Sequence, residues 1–91
     1  MRELIVASKN EKKLRELERY LKGVKARIVS LKGLSGSPRI IEDRKTFQGN
    51  AMKKALTVSR WRGALALADD SGLVVRVGRE AGRQVIEIRG P

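Results

Sequence analysis

An α/β fold with a mixed β-sheet, two helices and a C-terminal β-hairpin is predicted by three features of the sequence. Short apolar runs of strand length alternate with longer stretches of helical periodicity. Glycines, among them Gly23 and Gly63, stand where the helical stretches stop. Two β-branched runs, residues 73–77 and 85–88, close the chain around a glycine-containing stretch, as in a hairpin. This order predicts a βαβ start followed by antiparallel strands.

Each element has a local reason. Leu4, Ile5, Val6 and Ala7 form a continuous apolar run, the pattern of a strand covered on both faces. Ser8 and Glu11 have capping-box spacing, and Leu14, Leu17 and Leu21 then share one helical face, so a helix is expected from about residue 10 to 22, ended by Gly23. Residues 26–31, ARIVSL, read as a second strand, and GLSGSP, residues 33–38, as a loop. Thr46 can cap a second helix running to about Arg62, with Phe47, Ala51, Ala55, Val58 and Trp61 on its apolar face. Residues 65–68 form a third strand that ends at Asp69 and Asp70. Residues 78–83, GREAGR, are read as the loop of the terminal hairpin.

Composition limits the function. A chain of 91 residues makes one small domain, 1–91, and its 41% hydrophobic and 3% aromatic content calls for an aliphatic core. The absence of cysteine excludes disulfides and thiolate metal sites. No apolar run reaches bilayer length, so a cytoplasmic protein without membrane association is expected. With 21 Lys and Arg against 10 Asp and Glu, the net charge of +11 attracts phosphate-bearing partners of any size. The basic residues are scattered from Arg2 to Arg89, and Tyr20, Phe47 and Trp61 make no obvious stacking platform, so a nucleic-acid module is the lesser reading.

Three loop constellations carry candidate chemistry, because ligands of open α/β sheets gather beyond the carboxyl ends of the strands. In SKNEKK, free N–H groups at a helix start, the Ser8 and Asn10 side chains and the Lys13 ammonium can hold a polyphosphate. The same residues also describe an ordinary capped helix with solvated lysines. Asn50 and Lys54 are four residues apart and share a helix face behind Glu42, which is equally a description of a solvated face. Asp69 and Asp70 at a strand end, with Glu42, can hold Mg²⁺, and one carboxylate can activate a water. Asp-Ser-Gly is also a common tight turn.

Taken in order, ASKNEKKLRELERYL (residues 7–21), Glu42 with TFQGNAMKKA (residues 46–55) and LADDSGL (residues 67–73) closely resemble the inosine triphosphate pyrophosphatase family, which hydrolyses non-standard purine nucleoside triphosphates. The resemblance implies half of that family's fold. It implies that Ser8, Asn10, Lys13 and Asn50 bind substrate, that Ser71 contacts it, and that Lys54 adds positive charge at the catalytic site. It implies that Glu42 and Asp70 hold Mg²⁺ supported by Asp69, with Asp70 also the base for a water that attacks between the α- and β-phosphates. The products would be a nucleoside monophosphate and pyrophosphate.

The family-like part is residues 1–73, and residues 74–91 form a divergent terminal hairpin. The family's Phe-Gly-Tyr-Asp type segment and late His-Arg pair have no counterpart in residues 74–91. A homodimer that completes the cleft through its terminal hairpins is therefore expected. The alternatives are a catalytically incomplete half-domain or a basic nucleic-acid-binding module.

Overall fold

The computed structural model describes residues 2–80 and 82–90. Five strands form one sheet in the order β2-β1-β3-β4-β5. Strand β1 (Glu3–Val6) lies parallel to β2 (Arg27–Ser30) and to β3 (Leu65–Asp70), whereas β4 (Leu73–Glu80) and β5 (Arg83–Arg89) continue antiparallel. Helices α1 (Glu11–Leu21) and α2 (Phe47–Arg62) cover opposite faces. The predicted mixed sheet, two helices and terminal hairpin are all present.

The alternation of side chains along the strands divides the core. Leu4, Val6, Leu65, Leu67 and Val74 pack on Leu17 of α1. Ile5, Ala66, Ala68, Val75 and Val77 pack on Ala51, Ala55 and Val58 of α2. As expected for a strand covered on both sides, Leu4, Ile5 and Val6 are fully buried. Alternation also sends the two adjacent aspartates apart: Asp69 follows Leu65 and Leu67 toward α1, and Asp70 follows Ala66 and Ala68 toward α2.

Several local expectations are corrected. The cap of α1 is Asn10, whose Oδ1 accepts the N–H groups of Lys12 and Lys13, while Ser8 Oγ accepts the Asn10 N–H instead of closing a capping box. Strand β2 is shorter than expected because Leu31 turns into a 3₁₀ segment (Leu31–Gly33) and buries its side chain. Strand β3 runs through both aspartates. The supposed loop of residues 78–83 is mostly strand: Gly78, Arg79 and Glu80 pair with Val85, Gln84 and Arg83, and Ala81 lies outside the described residues.

Gly78 makes that register possible. A Cβ at this position would stand 2.4 Å from Leu65 Cδ2 and 2.8 Å from Leu65 Cα, so only glycine lets β4 approach β3 so closely. On α2, Phe47 and Trp61 share the apolar periodicity but lie beyond the part of the helix that meets the sheet, and they are 57% and 36% exposed. Among the described residues no helix is long and apolar enough to cross a membrane.

Candidate functional site

The carboxyl ends of β1 and β3 lie side by side, joined past the strands by Ala7 N–H donating to the Leu67 carbonyl at 2.8 Å. The loop after β1 therefore starts beside the aspartates. In it, Ser8 and Asn10 organise the start of α1 as described. Two of the helix-start donors expected to be free, those of Lys12 and Lys13, are already directed at Asn10 Oδ1, at 2.9 and 3.4 Å. One turn into α1, Lys13 reaches across to Asp69, with Nζ 3.0 Å from Oδ2, and also meets Glu16 at 3.5 Å. The hydrogen bond with Asp69 holds the Lys13 ammonium pKa above the ordinary lysine range.

The second constellation is a strap fastened to the first turns of α2. Thr46 caps the helix by accepting the Gly49 N–H at 2.9 Å, and Asn50 Oδ1 accepts the Arg44 N–H at 2.9 Å. Lys54 Nζ lies 2.9 Å from Glu42 Oε1, so the two residues expected to share a ligand instead share the strap that carries Glu42. Lys53, which the motif reading passed over, completes the fastening by donating to the Ile41 carbonyl and to Asp43, both at 2.7 Å. That bond keeps the Asp43 carboxyl below the ordinary carboxylate range. The strap lies so close to the helix that a Cβ on Gly49 would be 3.0 Å from both Arg44 Cβ and Thr46 Oγ1, which explains a glycine within the first turn. The two adjacent acids Glu42 and Asp43 and the two adjacent lysines Lys53 and Lys54 were the sequence signal for such pairing.

The third constellation splits. Asp69 is nearly buried and held by Lys13 on the α1 side. Asp70, half-buried on the α2 side, has no hydrogen bond or ion pair to its carboxylate among the described residues. Ser71 and Gly72 form the two-residue turn into β4, with φ of 48° and 88°, the left-handed pair of a type I′ turn. Serine is an unusual residue there, and it is held with its side chain exposed at the rim of the site.

No cluster of three or more His, Cys, Asp or Glu side chains that could hold a metal occurs among the described residues. The acidic-pair reading puts Asp69 and Asp70 on one cation; in the fold they follow strand alternation toward opposite faces of the sheet. What remains on the α2 side is the open Asp70 carboxylate and Glu42 on its strap. One or two carboxylates completed by phosphate and water oxygens is a donor set that suits Mg²⁺. Two cavities lie elsewhere, one at the amino ends of β1 and β3 and one along the α1 side of the terminal hairpin.

Comparison with known proteins bears on this geometry. The family model described as the Ham1 family matches residues 4–81. A dITP/XTP pyrophosphatase from Geobacter sulfurreducens is 47% identical over 75 residues, 82% of this chain and 38% of the relative. One from Anaeromyxobacter dehalogenans is 49% identical over 74 residues, 80% of this chain and 32% of the relative. Among solved structures, a HAM1 protein from Coxiella burnetii superposes with a TM-score of 0.66 at 37% identity, covering 82% of this chain and 38% of that one. The resemblance carried by the three motifs and the partial fold it implied are borne out. The chain spans between about a third and two-fifths of the length of these relatives.

Proposed function

The chain belongs to the Ham1 family, and from that premise we propose that it hydrolyses non-standard purine nucleoside triphosphates to a monophosphate and pyrophosphate. The names of its relatives, dITP/XTP pyrophosphatases, support the substrate class. The observation that carries the reading is the state of Asp70. Glu42, Asp43 and Asp69 each hold a lysine, whereas the Asp70 carboxylate at the carboxyl end of β3 is uncommitted among the described residues. An uncommitted carboxylate can accept a proton from water.

Asp70 and Glu42 would hold Mg²⁺, which when bound supplies charge neutralisation on the phosphates and a more acidic water. Asp70 takes the proton from the water that attacks the α-phosphorus. The bond from that phosphorus to the bridging oxygen breaks, and the electron pair leaves with pyrophosphate. Lys13 and Lys54 are already fixed by Asp69 and Glu42, so their positive charge meets the polyphosphate with little rearrangement. Ser8, Asn10 and Asn50 hold the loops that face the substrate and offer it their polar groups, and Ser71 contacts it from the turn. In this division Asp69 supports the site by positioning Lys13.

A second copy would enlarge the cleft. Ile86 and Ile88 on the edge strand β5 pair with Val77 and Val75, so they extend the α2 face, yet they are 51% and 41% exposed. Such an edge favours self-association. The reaction is tested by product analysis with dITP and Mg²⁺. Equal yields of dIMP and pyrophosphate, abolished by a chelator, are expected. Release of inorganic phosphate and dIDP instead would overturn the assignment of the cleaved bond.

A further inference from the structure

The basic residues that look scattered along the sequence gather along the α1 face of the sheet and at its end opposite the candidate site. A cavity of about 560 Å³ at that end is lined by Arg2, Arg60, Arg62 and Arg79 against one carboxylate, Glu3. A second cavity of about 440 Å³, on the α1 side, is lined by Arg19, Lys22, Lys25, Arg76 and Arg89 against Glu87. Arg2 and Leu65 line both, so the two are adjoining parts of one basic belt. Its carboxylates are already engaged, Glu3 by Arg27 and Arg62, and Glu87 by Arg76 and Arg89. Arg2, Arg19, Lys22, Lys25, Arg60 and Arg79 have no carboxylate partner among the described residues.

A belt that passes from one cavity to the next matches an extended polyanion better than a single small phosphate. Two aromatic rings accompany it. Tyr20 lines the second cavity with the Arg19 guanidinium 4.9 Å from its ring centre. Trp61, 36% exposed, lies outside the lining of both cavities but beside the first, with the guanidinium of the cavity-lining Arg62 6.0 Å from its ring. Leu65, Leu67 and Val74 give the second cavity an apolar floor. Cations that track a backbone, with rings and apolar surface beside them, are the elements of a surface for unpaired bases. We propose that this belt binds single-stranded nucleic acid, separately from the triphosphate site.

Fluorescence anisotropy of a labelled oligothymidine, titrated at several salt concentrations, tests the proposal. If about six cations each meet a phosphate, the logarithm of affinity should fall against that of salt with a slope of about −4. Lys22→Ala with Arg60→Ala should lower the slope by about 1.4 and weaken binding about tenfold at low salt. Arg39→Ala with Lys45→Ala removes the same charge from exposed positions outside both cavities and should have a much smaller effect. Emission of Trp61, the one tryptophan, should be quenched by the oligomer. Absence of binding, equal losses for the two variant pairs, or a duplex bound as tightly as the single strand would overturn the proposal.

Discussion

Lys13 on α1 and Asp69 at the end of β3 meet with Nζ 3.0 Å from Oδ2, and the aspartate side chain is only 10% exposed. This pair ties the loop after β1 to the strand that carries Asp70. Breaking it by Asp69→Asn leaves a lysine without its main partner and should destabilise the fold by about 1–2 kcal/mol, less than a fully buried pair because Lys13 is 35% exposed. Urea unfolding of Asp69→Asn, Lys13→Met and the double variant should give a favourable coupling between the two residues. Strict additivity would show that the pair contributes nothing.

The pH dependence of stability follows from the same contact. The Lys13 pKa is raised in the folded state, chiefly by its hydrogen bond with Asp69. Its contribution is therefore fully present below the unfolded lysine pKa of about 10.4 and is lost as pH rises through the higher folded value. At the acid end, Asp43 and Glu11 are lowered by hydrogen bonds with Lys53 and Lys32, so their contributions are lost as pH falls through the depressed folded values. Thermal melting across the alkaline window should show a steeper decline for the wild-type chain than for Lys13→Met.

The strap on α2 should loosen in a graded way. Asn50→Ala removes the acceptor for the Arg44 N–H, at a cost of about 1 kcal/mol, and should speed amide exchange at Arg44 while the core stays protected. Hydrogen exchange followed by NMR makes the comparison. Unchanged exchange at Arg44 would mean that Lys53 and Lys54 hold the strap alone.

Gly78→Ala should be among the most damaging single-methyl additions, because the new carbon collides with the Leu65 backbone as well as its side chain. A loss of about 2–3 kcal/mol is expected. Gly33→Ala, where nothing lies within 4 Å, should leave stability nearly unchanged. Denaturant midpoints of the two variants provide the test.

Ser71 occupies a left-handed position that asparagine adopts more readily, and Gly72 follows it. Ser71→Asn should therefore raise stability by about 0.5–1 kcal/mol while weakening substrate binding. A higher melting temperature with a higher KM is the expected pair of results.

These features differ in how far the sequence revealed them. The bounds of α2 were legible because Thr46 and Gly63 act on their own neighbours: one caps by its side chain, the other closes the helix at φ 67°. The hairpin register was not, since it depends on Gly78 meeting Leu65, thirteen positions away in the chain. Helical periodicity placed Phe47 and Trp61 in the core because it carries no information about how far a sheet extends beneath a helix. At the site, the residues of the three motifs were found but not their partners. The opposite orientations of Asp69 and Asp70 become readable once the strand is carried through residue 70. Convergence of Arg2, Lys22 and Arg60 is a property of the folded chain and has no sequence signal.

Pyrophosphate release from dITP and XTP, with ATP and GTP for comparison, by the wild-type chain beside Asp70→Asn tests the catalytic assignment most directly. Circular dichroism and melting should show both chains folded, since Asp70 makes no ion pair among the described residues. Wild-type turnover with a loss of about 10²–10⁴-fold in Asp70→Asn is the expected result. Equal turnover by both chains, or no release by the wild type from any of the four triphosphates, would contradict it.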